Sequence, residues 1–200
     1  MMIAALFVRK DSIYKSIPGV DCYDIGRDAR TWPGGCPVIA HPPCRSWGML
    51  KHFARAPAGE HEFGIRAVEQ VRRWGGVVEH PMGSSLFREC GCPPPGGFPD
   101  IYGGWTIVVD QFHWGHPARK RTILYIVGTM DMPPMPFRPG EPEFVIDRPG
   151  KRRKSERRPS GKKSCSHRKR EETPRLFAEW LVEMVGSFKG TDPANRTPLR

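Results

Sequence analysis

Three short stretches of this 200-residue chain carry side chains whose types and spacing suit attack on an electron-poor group. The first is Val38-Ile39-Ala40-His41-Pro42-Pro43-Cys44-Arg45-Ser46-Trp47-Gly48. An apolar run ends in a turn stiffened by two prolines, and Cys44 is presented just beyond it. The thiolate is the reactive form of cysteine, and the basic neighbours His41 and Arg45 are expected to lower the thiol pKa. A structural cysteine in a Pro-rich turn would read the same way. The second stretch, Val77-Val78-Glu79-His80-Pro81, ends another apolar run in a carboxylate. Glu79 suits a general acid or an acceptor for a donor edge, and also suits a solvated glutamate at a strand end. In the third, Gly115-His116-Pro117-Ala118-Arg119-Lys120-Arg121-Thr122, basic side chains precede an apolar run and suit an anion, a base or plain solvent.

These residues need elements to hold them. Apolar runs four to eight residues long, rich in Val and Ile, occur at 2–8, 20–25, 37–40, 76–79, 106–110 and 123–128. Runs of this kind suit strands buried on both faces of a mostly parallel sheet. Between them, Ser12 to Ile17 suits a short helix, and residues 60–74 place Phe63, Ala67, Val71 and Trp74 on one helical face before Gly75-Gly76. Alternating strand and helix predicts an α/β, Rossmann-like domain over 1–147. In such sheets ligands bind outside the carboxyl ends of strands, so Cys44, Glu79 and at least one of Arg119 and Arg121 are expected to meet in one pocket there. Residues 88–104 and 129–142, rich in Gly and Pro, read as loops. Thr173 suits an N-cap and Pro174 a first helical position. The helix they open, over 173–188, has an apolar stripe that must pack back on the domain, leaving 189–200 as a disordered tail.

Charge is concentrated. Residues 151–170 hold eleven Lys or Arg and one acid, so this window carries +10 of the net +11. A basic flexible segment over 148–172, packing nothing of its own, suits contact with a polyanion such as DNA or RNA through Lys151, Arg152, Arg153, Lys154, Arg157, Arg158, Lys162 and Lys163, joined by Arg45. A solvated linker is the alternative. No stretch approaches the roughly 20 apolar residues of a membrane span, and the first nine residues lack the basic lead of a signal peptide. A reducing, cytoplasmic setting is therefore expected, in which the six cysteines form no disulfide framework. Cys90 and Cys92, one residue apart, and His113 and His116 fall short of paired zinc-ligand spacing, so no metal is expected.

Taken in order, the three stretches resemble the cytosine DNA methyltransferases that act on carbon 5. That family presents its nucleophile in a Pro-Pro-Cys turn, matched by Pro42-Pro43-Cys44. It then places Glu-Asn at the end of a strand, where this chain has Glu79-His80. It follows with two arginines one residue apart before a strand ending Val-Gly, matched by Arg119, Arg121 and Val127-Gly128. The resemblance spans residues 1–128 and implies S-adenosylmethionine as cofactor and DNA as partner. It implies Cys44 as the nucleophile for carbon 6, Glu79 on the ring nitrogen and exocyclic amine, and Arg119 or Arg121 on the base carbonyl. The cofactor positions it implies are Phe7, Asp24, Asp28 and Pro42.

The chain departs from that pattern in three places. No glycine follows Phe7, Asp24 and Asp28 lie close together, and no target-recognition domain follows Arg121. This compressed form is similar to small proteins carried on phage genomes, which would place it in a bacterial cytoplasm. Two other functions fit the same departures. One is a DNA-binding protein that keeps the fold without the cofactor, and the other is a pyrimidine modifier with a different one-carbon donor.

Overall fold

The computed structural model describes residues 1–48, 51–146 and 161–188. Lys151, Arg152, Arg153, Lys154, Arg157 and Arg158, and the expected tail 189–200, lie outside the described residues. The chain builds a six-stranded sheet from β1 (Ile3–Leu6), β2 (Val20–Tyr23), β3 (Val38–Ala40), β4 (Gly76–Pro81), β5 (Trp105–Asp110) and β6 (Arg121–Val127). Each strand falls on one of the apolar runs, because a strand covered on both faces must be apolar throughout. The order is β2-β1-β3-β4-β6-β5. The first four strands are parallel, while β6 runs antiparallel to both β4 and β5.

That reversal decides the geometry. Arg121, at the start of β6, sits beside the ends of β4 and β5, with Pro81 opposite Thr122 and Asp110 opposite Arg121. The basic stretch before β6 therefore reaches the carboxyl edge because its strand runs backwards. The sequence expectation relied instead on strand ends shared in a parallel sheet. The strand order also reverses about β1, which has β2 on one side and β3 on the other. Such a switch point opens a crevice at the carboxyl edge.

Helices cover both faces. α1 (Glu60–Trp74) packs with Trp47, Leu86 and Phe87 on the face that carries Ala4, Leu6, Val38, Val78 and Tyr125. Its most buried positions are Gly64, Ala67, Val68 and Val71, so the stripe is rotated from the expected Phe63–Trp74 line. The cause is close approach: a Cβ on Gly64 would stand 2.6 Å from Trp47 Nε1, so only glycine lets the indole lie there. α2 (Leu86–Glu89) is a single turn at the head of the expected 88–104 loop. The stretch 12–17 contains a 3-10 turn, Ile13–Ser16, capped by the Ser12 hydroxyl, which accepts from Tyr14 N.

Residues 161–172, expected to be part of a flexible segment, are ordered. They pair a short strand β8 (Lys163–Ser164) with β7 (Phe144–Val145) and then form α3 (His167–Glu171). Cys165 anchors them, fully buried with its N–H donating to Val145 O. α4 (Arg175–Gly186) lays Phe177, Trp180, Leu181, Met184 and Val185 on the other sheet face, against Ile3, Ile39, Val77, Leu124 and Ile126. Pro174, not Thr173, occupies the N-cap, and no side chain caps this helix. Among the described residues no helix is long and apolar enough to cross a membrane.

Because Leu181 is fully buried in that layer, Leu181→Ala is expected to lower stability by about 2–5 kcal/mol. The measurement is the urea unfolding midpoint at unchanged slope. A loss below about 1 kcal/mol would mean that α4 does not hold this face.

Candidate active site

Glu79 lies near the carboxyl end of β4, 7% exposed. Burying a carboxylate carries a large desolvation cost unless hydrogen bonds and charge offset it. Here side chains from or next to three other strands supply the offset. His41, just past β3, holds its Nδ1 3.0 Å from Glu79 Oε2. Gln111, just past β5, donates from Nε2 to Oε1 at 3.1 Å. The Thr122 hydroxyl on β6 donates to the same Oε1. Burial alone would push the Glu79 carboxyl up, but the Lys120 ammonium, His41 and Thr122 outweigh it and hold it well below the ordinary carboxylate range. The side chain is therefore an anion at neutral pH.

The His41 ring continues the chain of contacts. Its Nε2 is 3.0 Å from the hydroxyl of Tyr14, a fully buried residue in the 3-10 turn after β1. Since Glu79 only accepts, His41 Nδ1 carries the proton toward it, and Nε2 is left to bond the Tyr14 hydroxyl. Desolvation first, and the Glu79 charge second, raise the Tyr14 phenol well above its usual value, so it remains a donor.

Cys44 stands in the turn beyond β3 and is exposed. Its thiol pKa is raised, not lowered as its basic neighbours suggest. Desolvation by the surrounding turn contributes most, followed by the charges of Glu79 and Glu171, with Lys120 pulling the other way. Both expected activators are engaged elsewhere. Arg45 forms an ion pair with the buried Glu60. His41 is committed to Glu79 and Tyr14.

The basic stretch contributes a different residue from those expected. Arg119 is exposed, donates to Asp110 at 3.3 Å and lies 4.5 Å over the Phe112 ring. Arg121 is exposed at the start of β6. The cation whose charge reaches both Glu79 and Cys44 is Lys120, which donates to the Glu172 carbonyl at 3.0 Å. That carbonyl belongs to the ordered C-terminal segment, which lies at this edge. His116 Nε2 is 3.0 Å from Lys169 O, Arg9 reaches Glu171 at 3.2 Å, and Arg168 reaches Asp11 at 3.1 Å. Of the two basic residues of that segment named from sequence and described, Lys162 pairs with Glu141 at 2.9 Å and Lys163 is exposed in β8.

At the β1/β3 crevice, Phe7 has φ of 57° and stacks on Phe63 at 5.5 Å. This is the left-handed conformation a glycine would take freely, and a side chain there costs about 1–2 kcal/mol. Asp28, at φ 26°, is the only other non-glycine residue among those described with positive φ. Asp24 accepts from Lys15 at 2.6 Å and from the Gly26 N–H at 2.8 Å, which together hold its carboxyl below the ordinary range. Asp28 is paired with Arg30. Pro42 is buried between this crevice and Cys44. A separate concavity of about 220 Å³ lies along α1 and α2, lined by Trp47, His61, Val68, Arg72 and Cys90 among others, and none of Cys44, Glu79 and Lys120 borders it.

Sequence reasoning missed Tyr14, Gln111, Lys120 and Thr122, and treated His41 only as a neighbour of Cys44. Thr122 left a signal: it alternates with Leu124 and Ile126 on one face of an apolar strand, where a hydroxyl needs a partner. Comparison with protein-family models and with curated proteins returns no match, so the site is read from its geometry alone.

His80 points to the opposite face from Glu79, fully buried against Phe87 and beneath the Pro42-Pro43 backbone. Neither ring nitrogen makes a hydrogen bond. Burial lowers its pKa to about 4 from 6.5, despite the nearby Glu79 charge and proline carbonyls. The unfolded chain therefore binds a proton between these values that the folded chain refuses. Stability is full above pH 6.5 and falls as pH drops toward 4, by roughly 3 kcal/mol. His80→Asn is expected to flatten that slope in urea titrations run at pH 7, 5.5 and 4.5. An unchanged slope would assign the acid sensitivity to another group.

Proposed function

We propose that this chain is a DNA cytosine carbon-5 methyltransferase-like enzyme in abbreviated form. The observation that carries the reading is an exposed cysteine and a buried, ionised glutamate at the ends of adjacent strands, beside the crevice where the strand order reverses. A pyrimidine ring set between them would meet a nucleophile on one face and an acceptor at its polar edge. A carboxylate has about four lone-pair positions, and three are taken by His41, Gln111 and Thr122. The remaining one, on Oε2, is available to a ring N–H.

In this mechanism Cys44 loses its proton to solvent, and the thiolate electron pair forms a bond to carbon 6. The carbon 5–carbon 6 pair then becomes nucleophilic at carbon 5. Glu79 favours the protonated ring nitrogen, and Lys120 favours negative charge on the base carbonyl in place of Arg119 and Arg121. After alkylation, loss of the carbon 5 proton expels the thiolate and restores the ring. A base inside a duplex is out of reach, so the target enters unpaired.

S-adenosylmethionine, when bound, supplies an electrophilic methyl group. The donor set fits it at the β1/β3 crevice: Asp24 is ionised just past β2 with acceptor capacity for a ribose hydroxyl, and the left-handed Phe7 turns the chain sharply after β1. Pro42 and Asp28 flank the same edge. The Phe7 turn, which carries a side chain where backbone could otherwise approach a ligand, favours the second reading, a DNA-binding protein without a cofactor.

The test is incubation with DNA and labelled S-adenosylmethionine, followed by digestion and mass analysis of nucleosides. Methylated cytosine is expected from the wild type and not from Cys44→Ser, whose hydroxyl is not ionised near neutral pH. Glu79→Gln is expected to slow turnover at least 100-fold while leaving DNA affinity within about twofold. Cofactor and DNA binding without a covalent complex on 5-fluorocytosine DNA would refute the Cys44 mechanism.

A further inference from the structure

The same 3-10 turn that delivers Gln111 to Glu79, Gln111–Trp114, buries Phe112 and carries the half-buried His113 toward the surface. The His113 ring stacks on Phe137 with centroids 5.5 Å apart and planes inclined by 27°. Its Nδ1 accepts from the Arg138 backbone N–H at 3.2 Å, which ties the 129–142 loop to the turn. Phe137 is 81% exposed, so His113 supports one face of its ring while the rest meets solvent. Two guanidiniums lie next to this stack, over the adjoining Phe112 ring whose centroid is 5.8 Å from that of His113, Arg119 at 4.5 Å and Arg138 at 4.6 Å. Arg119 has Asp110 as a partner, whereas Arg138 has no carboxylate partner among the described residues. Glu141, the nearby acid on this loop, is paired with Lys162.

We propose that Phe137, backed by His113, is a stacking platform for an unpaired base of single-stranded DNA, with the Arg119 and Arg138 guanidiniums, held over the adjoining Phe112 ring, on nearby phosphates. An exposed aromatic ring held flat by a second ring, with cations close by for the backbone, is the combination that binds single strands without reading sequence. Beyond its stack on His113 the ring buries little surface, and a loop tied by a backbone–histidine bond holds it at little entropic cost. The position is also apt: one residue separates the ring-bearing part of the turn from the amide on Glu79. The platform would hold a neighbouring nucleotide while the target base occupies the edge. This rests on the nucleic-acid reading above and narrows it to unpaired strands.

The experiment uses fluorescein-labelled oligothymidine, 15 nucleotides long, and a mixed-sequence duplex of equal length. Both are titrated with the full chain by fluorescence anisotropy, without S-adenosylmethionine. Phe137→Ala is expected to weaken single-strand binding about fivefold to 150-fold and to change duplex binding less than twofold. Phe137→Trp should restore the single-strand affinity, which separates stacking from misfolding. Arg138→Ala should weaken binding and flatten its salt dependence. Single-strand affinity within twofold of wild type for Phe137→Ala would overturn the platform, as would equal losses on both DNAs. The two readings fail separately. Methyl transfer by a chain whose Phe137→Ala variant binds normally would sink the platform alone. Loss of single-strand binding in a chain that transfers no methyl group would sink the methyltransferase reading alone.

Discussion

A carboxylate that stays ionised while nearly sealed from water is the constraint around which this molecule is arranged. Glu79 can remain charged only if several partners converge on it, and no single element carries them all. The partners come from the turn after β3 (His41, backed by Tyr14 from the turn after β1), the turn after β5 (Gln111) and β6 itself (Thr122, with Lys120 beside it). Five of the six strands therefore end or begin at one charge. Removing any partner would leave a buried polar group short of a bond, a cost of about 1–3 kcal/mol for a neutral donor and more for the ion. That cost ties register to chemistry: a one-residue slip of β6 would turn Thr122 to the other face and strip the carboxylate.

The strands were legible because burial on both faces leaves a compositional mark, and the runs at 37–40 and 76–79 coincide with β3 and β4 to within two residues. Strand direction was less legible. The apolar runs at 106–110 and 123–128 leave twelve residues between them, enough for the crossover of about a dozen that a parallel return needs. In the structure β6 begins earlier, at Arg121, so only ten residues, 111–120, join it to β5, and it runs antiparallel. With that direction and period-two alternation, Lys120, Thr122, Leu124 and Ile126 share a face, and Arg119 and Arg121 belong to the other. Glu79 pairs with Leu124, so Lys120 is the cation on its side. The choice between the arginines and the lysine thus depended on register, which motif spacing does not carry.

The C-terminal half of the basic run was misread for a related reason. Its net charge hid the one apolar anchor, Cys165, and hid the use of backbone carbonyls as partners. Lys169 O and Glu172 O, invisible to any charge count, accept from His116 and Lys120. The Glu171 side chain is a local reversal of sign inside a basic segment, and its effect reaches Cys44. A segment expected to contact a polyanion instead brings a carboxylate near Cys44.

The raised thiol is compatible with covalent chemistry once population and reactivity are weighed together. Each unit by which the pKa exceeds its ordinary value cuts the thiolate fraction tenfold at neutral pH. The intrinsic nucleophilicity of that thiolate rises at the same time, and the Brønsted slope of about 0.4–0.5 known for attack on disulfides returns roughly a factor of three per unit. The net loss is about threefold per unit, small against the gain from holding two reactants in place, which reaches effective molarities of about 10⁵ M or more. What the arrangement provides in exchange is selectivity. Desolvation first, and the Glu79 and Glu171 charges after it, raise the Cys44 thiol, which disfavours the thiolate that oxidants attack. In the proposed reaction, an electron-poor ring held at the edge by Glu79 and Lys120 would meet the few thiolates present at close range. The two carboxylates near Cys44 thus oppose its ionisation, and the buried one holds the partner against which the thiolate would act.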